Sequence, residues 1–185
     1  MRNYYLTEFS DWTWNEDAEF PPSYFNWGEG EPNLVWGAEK GFAKLMTDFD
    51  SGDEEPSGKW FVPEDQFDAD YFICQSPKVP TSSTTPTPPQ TSTPDQELVC
   101  MDGYEDMVPN SGKCYLLDMA DNVTTWDDAT DYCNQMMNWD YAVDYNLQNT
   151  QLVSISSDYE NDQLFSQLYE FEIQSAWIGL GLTGE

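Results

Sequence analysis

Residues 151–180 read QLVSISSDYENDQLFSQLYEFEIQSAWIGL, and this stretch decides the fold that we expect. Its two ends, 151–155 and 176–180, are short apolar runs that are typical of strands. Between them, Ser157 and Glu160 have the spacing of a capping box, which predicts that a helix begins here. The helix continues on one face with Asn161, Leu164, Phe165 and Leu168. The stretch therefore predicts a strand, a helix and a second strand.

A second helix is predicted upstream of this stretch, beginning at Thr125. Threonine is a favourable N-cap residue, and Asp127 and Asp128 place negative charge in the first turn, where the helix dipole favours it. Spacings of three and four then put four side chains on one face, namely Trp126, Ala129, Cys133 and Met136. The C-terminal part of the chain therefore contains two helices.

The N-terminal part of the chain is predicted to consist of strands and loops. Short β-prone runs occupy 11–14, 59–62 and 71–74. Prolines and glycines between positions 21 and 32 predict a long loop region. Together with the two helices, these runs predict an α+β domain.

Residues 77–96 divide the chain, because they contain 6 prolines and 9 serines or threonines and no aromatic residue. Such a composition cannot bury a core and predicts an extended linker. In a secreted chain it is also typical of O-glycosylation. The linker separates segment 1–76, with 17 acidic and 4 basic residues, from segment 97–185, with 17 acidic and 1 basic residue.

Composition excludes several classes of function. The 185 residues carry 35 acidic and 6 basic side chains, a net charge of −29, so phosphate backbones and anionic membranes repel the chain. No apolar run is long enough to span a bilayer, and the first eight residues lack the apolar core of a signal peptide. The chain contains no histidine, which excludes Ser-His-Asp catalysis and histidine-bound zinc.

The four cysteines indicate an oxidising compartment. No pair has the C-x-x-C spacing of a zinc or redox site, and an even number beside a mucin-like linker favours disulfides. Cys100 and Cys114 bracket a hairpin-like stretch that a local disulfide would close. Asn122 begins the sequon Asn-Val-Thr, a glycosylation site in keeping with secretion.

Taken in order, the motifs of both segments resemble the C-type lectin-like domain family. Segment 97–185 resembles the N-terminal half of such a domain and carries Cys100, Gly103-Tyr104, Cys114-Tyr115, Trp126, Ala129, Cys133, 152–155, Glu160-Asn161 and 177–180. Segment 1–76 resembles the C-terminal half and carries 12–14, Asn26-Trp27, 30–33, 58–60 and 72–74. The resemblance implies small antiparallel sheets, two helices, a long loop region and stapling disulfides.

The halves occur in reversed order, and two interpretations follow. The simpler one is a piece of a tandem array, in which the two segments belong to different domains. The alternative is a chain that closes on itself, since the termini of the family's domain lie side by side. In that case the family's long-range disulfide would join Cys133 to Cys74.

The resemblance also implies a partial calcium and sugar site. Glu31 and Asn33 match the Glu-Pro-Asn motif of sugar-binding members, with Pro32 as the family's cis-proline, and Glu39 matches the next ligand. Calcium needs six to eight oxygen ligands. The family's Trp-Asn-Asp motif is Trp60-Phe61-Val62 here, and the two apolar side chains cannot bind the ion. We therefore expect weak or absent calcium binding.

These observations predict a secreted, non-catalytic binding module whose partner is a glycan or a protein. A sugar site with a degraded calcium site and a calcium-independent protein site are the two alternatives, with Trp27 and Trp36 available to stack on sugar rings. The acidic insertion 48–55 is interpreted as a solvated loop, with replacement calcium ligands as the alternative. Remote alternatives are a glycosidase with two carboxylates and an acidic mucin-like surface protein.

Overall fold

The computed structural model describes residues 11–15, 22–33, 40–47, 58–63, 71–80, 98–119, 123, 125–136 and 150–183. Within these ranges the strands are β1 (Trp12–Trp14), β2 (Lys40–Met46), β3 (Trp60–Phe61), β4 (Phe72–Pro77), β5 (Val79–Pro80), β6 (Leu98–Val99), β7 (Lys113–Asp118), β8 (Gln151–Leu152) and β9 (Ser175–Thr183). The helices are α1 (Trp126–Gln135) and α2 (Asp158–Glu170). The predicted α+β class is confirmed, and neither of these helices is long and apolar enough to cross a membrane.

Both helices begin at the predicted residues. The hydroxyl of Thr125 accepts a hydrogen bond from the amide of Asp128 at 3.1 Å, and the Asp128 carboxylate accepts one from the amide of Thr125. Ser157 accepts from the amide of Glu160 at 3.2 Å, but the Glu160 carboxylate accepts from the amide of Ser156. Polar side chains thus satisfy amides that have no partner inside the helix.

The predicted faces of the helices pack into the core, except that Met136 of the first face and Phe165 of the second are only half-buried. Trp126, Ala129 and Cys133 of α1 are buried, and so are Asn161, Leu164 and Leu168 of α2. The ring of Phe165 packs against the backbone of Gly58. A Cβ atom at Gly58 would lie 2.9 Å from that ring, and the backbone there has φ +53°, so glycine is required.

The described strands form one large mixed sheet and a separate antiparallel pair, β5–β6. The large sheet has the order β3-β2-β9-β4-β7, with β1 also pairing β9 and β8 also pairing β4. The expectation of small antiparallel sheets is therefore corrected, because β4 and β9 pair in parallel at Phe72 and Trp177. Parallel pairing needs a long connection, which the chain between these two strands provides.

Strands of the two segments are interleaved within the large sheet, where β9 of the second segment lies between β2 and β4 of the first. β2 and β1 of the first segment pair with β9 of the second, and β4 pairs with β7, β8 and β9. One core cluster likewise combines Trp12 and Trp60 with Ile155 and Leu164. In this structure the two segments therefore close on each other in one sheet and one core.

Both disulfides considered from the sequence are present. Cys100 is bonded to Cys114, and Cys74 in β4 is bonded to Cys133 in α1. All four cysteines are thus paired. The Cys74–Cys133 disulfide joins the two segments covalently.

Residues 77, 79 and 80 of the expected linker 77–96 lie in strands. Pro77 is the last residue of β4, and β5 pairs with β6 through Val79 and Val99. Val79 is buried, so this part of the expected linker contributes to the fold. Residues 81–97 lie outside the described residues.

Candidate functional site

The Glu31-Pro32-Asn33 motif forms a corner beside β3. The Glu31–Pro32 peptide bond is cis, as the resemblance implied. Oε2 of Glu31 accepts hydrogen bonds from the amide of Asn33 at 2.9 Å and from the amide of Val62 at 3.0 Å. The corner is therefore joined to the strand that carries the altered Trp-Asn-Asp motif.

Backbone hydrogen bonds hold the preceding loop against β3. The amide of Gly28 donates to Trp60 at 2.9 Å, and the amide of Trp60 donates to Asn26 at 2.8 Å. The carbonyl of Gly58 accepts from the side-chain amides of both Asn26 and Asn161. These bonds fix the loop to β3 and β3 to α2, so the corner rests on ordered elements.

Phe61 closes the space next to the loop. Its ring lies so near Gly28 that a Cβ atom there would be 2.3 Å from the ring, so any larger residue at position 28 would require the Phe61 ring to move. The Phe61 side chain is half-buried, as is Val62. Apolar groups thus occupy the positions where the resemblance would place an amide and a carboxylate ligand.

The corner holds two of the three predicted calcium ligands. Glu31 is half-buried and Asn33 is exposed, while Glu39 and the acidic insertion 48–55 lie outside the described residues. Among the residues that the structure describes, no three His, Cys, Asp or Glu side chains are grouped as a metal site requires. Both amides bind Oε2 of Glu31, so the lone pairs of this oxygen are used within the protein.

A cluster of aromatic rings supports the corner from within. Trp60 is fully buried and contacts Trp14, Tyr24 and Trp27 edge-on, at ring-centroid distances of 5.7, 5.5 and 5.9 Å. Its indole nitrogen donates to Oδ1 of Asn161 at 2.8 Å. Trp27 is half-buried, so only part of its ring is available for stacking on a ligand, and Trp36 lies outside the described residues.

Sequence reasoning missed a buried charge cluster around Glu160. One oxygen of this carboxylate accepts from Nζ of Lys113 at 2.7 Å and from the hydroxyl of Tyr115 at 2.8 Å. The other accepts from the amide of Ser156 at 2.8 Å and from its hydroxyl at 2.9 Å. Lys113 also donates to the carbonyl of Ser154 at 2.6 Å. Every lone pair of a carboxylate in the core is thus matched by a donor.

The ionisation of this cluster follows from its contacts. Burial raises the pKa of Glu160, but the hydrogen bond and charge of Lys113, with the bonds from Ser156 and Tyr115, lower it more, so the pKa lies below its ordinary value. Burial, with the Glu160 carboxylate beside it, raises the pKa of Tyr115. One sequence signal existed, because Lys113 is the only basic residue of segment 97–185.

The predicted glycosylation site, Asn122, lies outside the described residues. Comparison with family models, with curated proteins and with solved structures found no match to this chain.

Proposed function

We propose that this chain is an extracellular, non-catalytic binding module of the C-type lectin-like kind that binds its ligand without calcium. The proposal is supported by the paired cysteines, the cis Glu31–Pro32 bond and the sheet that the motif-bearing strands of both segments build together. The ordered motifs in the sequence support it as well. Its extracellular location is supported by the two disulfides.

The observation that carries the proposal is the contact between Glu31 and Val62. A carboxylate that served calcium would direct its oxygens at the ion, together with several other oxygen ligands. Here one oxygen of Glu31 accepts from two backbone amides, and the Phe61 ring fills the adjoining space over Gly28. The role of Glu31 in this arrangement is to fix the shape of the corner.

A protein is the partner that the corner fits best. Phe61, Val62 and Pro63 are half-exposed apolar residues beside the exposed Asn33. An apolar patch with a polar edge is the usual composition of a protein–protein interface. A glycan bound through calcium is the second candidate, favoured by the cis proline between Glu31 and Asn33.

The first prediction concerns calcium itself. Calorimetric titration with calcium should give no binding heat, and the melting temperature should be the same in calcium and in chelator. The double variant Phe61→Asn/Val62→Asp supplies two oxygen-bearing side chains beside Glu31 and tests the physical reason. We expect it to gain a calcium-dependent rise in melting temperature, because ligands that bind only the folded state stabilise it.

A calcium-dependent stabilisation of the unaltered protein would contradict the proposal. The same is true of mannose binding on a glycan array that is lost on adding chelator. Glu31→Gln separates the two partners further, because a calcium-mediated ligand would be lost while a protein ligand that contacts Phe61 and Val62 would be weakened only slightly.

A further inference from the structure

We propose that the chain has a second binding site, a pocket that takes a neutral hydroxylated ring such as one sugar residue, again without calcium. The pocket lies between the turn 108–111 and the start of α2, and its volume is about 330 Å³. Small-molecule sites span about 300–1,000 Å³. The pocket is therefore large enough for one ring of a ligand whose remainder stays in solvent.

The charges at the base of the pocket cancel. Lys113 and Glu160 both line it and form an ion pair at 2.7 Å, in which the Glu160 side chain is 4% exposed and the Lys113 side chain 25%. A small ion of either sign would meet one attractive and one repulsive partner. A neutral ligand has no such conflict, and its hydroxyl groups can both donate to and accept from polar walls.

The walls offer hydroxyl and amide groups in positions that the fold fixes. Ser157 lines the pocket, and its hydroxyl oxygen accepts from the amide of Glu160, a bond that uses a lone pair and not the hydroxyl proton. Asn110 also lines the pocket, in the turn 108–111, where its backbone has φ +65°. A hydroxyl group and a side-chain amide can each donate to and accept from the hydroxyl groups of a sugar.

Tyr159 supplies the apolar surface that a sugar ring needs. Its side chain lines the pocket and is 53% exposed, so part of the ring is open to a ligand. A tyrosine presents an apolar ring with a polar tip, so the C–H face of a sugar can stack on the ring while its hydroxyls reach the polar walls. None of the pocket residues belongs to the Glu31 corner, so the two sites are independent.

The test uses the full chain, isotopically labelled, titrated in chelator with mannose, galactose and N-acetylglucosamine. We expect at least one sugar to shift the amide resonances of 108–113 and 156–160 in a saturable way. Tyr159→Ala should weaken that binding about fivefold to tenfold, as loss of a ring contact does. Tyr169→Ala is the matched control, because Tyr169 is a similarly exposed tyrosine of α2, at 47%, that does not line the pocket.

Three results would overturn the proposal. They are the absence of shifts with every sugar, equal effects of the two tyrosine variants, and shifts of the pocket resonances by acetate or calcium but not by sugars. Asn110→Gly keeps a backbone that tolerates positive φ while it removes the amide, so weakened binding by this folded variant would support the proposal. Resonance shifts that are centred on Glu31 and Val62 and abolished by chelator would instead contradict calcium-independent binding at the corner. Failure of the pocket proposal and failure of the proposed function therefore give different results.

Discussion

Lys113→Met is expected to lower the free energy of unfolding by about 3–5 kcal/mol, because it leaves the buried Glu160 carboxylate without its cation. Methionine has a similar length, so the change removes charge and hydrogen bonds more than volume. The donors from Tyr115 and Ser156 remain, which places the expected loss toward the lower end of the range. Chemical denaturation at pH 7 measures it.

Lys78→Met is the matched control. Lys78 pairs with Asp106 at 2.5 Å, but the Asp106 side chain is 47% exposed. An ion pair with a solvated partner contributes about 0–1 kcal/mol, so this variant should have nearly unaltered stability. If both lysine variants lost the same free energy of unfolding, the burial of Glu160 would not explain the effect of Lys113→Met.

The pH dependence gives a second readout of the same variant. The pKa of Glu160 is lowered in the folded protein, so its contribution to stability is present above the unfolded pKa and is lost as the pH falls through the folded one. Without Lys113 the folded pKa of Glu160 rises. The stability difference between the two proteins should therefore be largest near neutral pH and should shrink below about pH 4.5. A difference that stays constant down to pH 3 would exclude an electrostatic cause.

Removal of the disulfide between the segments is expected to cost about 4 kcal/mol in the double variant Cys74→Ala/Cys133→Ala. The two cysteines are 59 residues apart, so the bond restricts a large part of the unfolded chain. Cys100→Ala/Cys114→Ala, which opens a separation of 14 residues, should cost about 3 kcal/mol. Chemical denaturation of both double variants measures the two losses in the free energy of unfolding.

Cleavage of the backbone tests the same bond directly. A protease site introduced within 81–97 leaves Cys74–Cys133 as the one covalent link between the segments, since Cys100 and Cys114 are both in the second segment. After cleavage the unreduced protein should remain one covalent species with the added mass of one water, and reduction should release two pieces. Two pieces without reductant would contradict the pairing.

The sequence predicts those elements whose determinants are local. Thr125 and Ser157 begin helices because their hydroxyl groups cap nearby amides, and these contacts lie within four residues. The short strands at 12–14, 60–61 and 151–152 follow from apolar runs in the same way. The order of the strands depends on pairing between distant parts of the chain, and the sequence left two arrangements open.

Two of the features that sequence reasoning missed depend on buried polar residues. β2 was not predicted, because Lys44 interrupts its apolar pattern; in the structure Lys44 is 4% exposed, and its ammonium lies 4.6 Å from the centre of the Trp177 ring. Glu160 was predicted as a capping residue, and its bonds to Lys113 and Tyr115 span more than 40 residues. At the corner, the motif located Glu31. Its carboxylate accepts a hydrogen bond from the backbone amide of Val62, and a backbone contact of this kind cannot be predicted from the types of the residues.

The pairing of β2 with β9 determines when folding can finish during synthesis. Gly41 pairs with Leu182 and Leu45 with Ala176, so the centre of the sheet is missing until the ribosome has released residues near position 180. Until then Trp12 and Trp60 have no completed sheet to cover them. Pairing between such distant residues makes folding slow, because a long loop must close before the sheet can form.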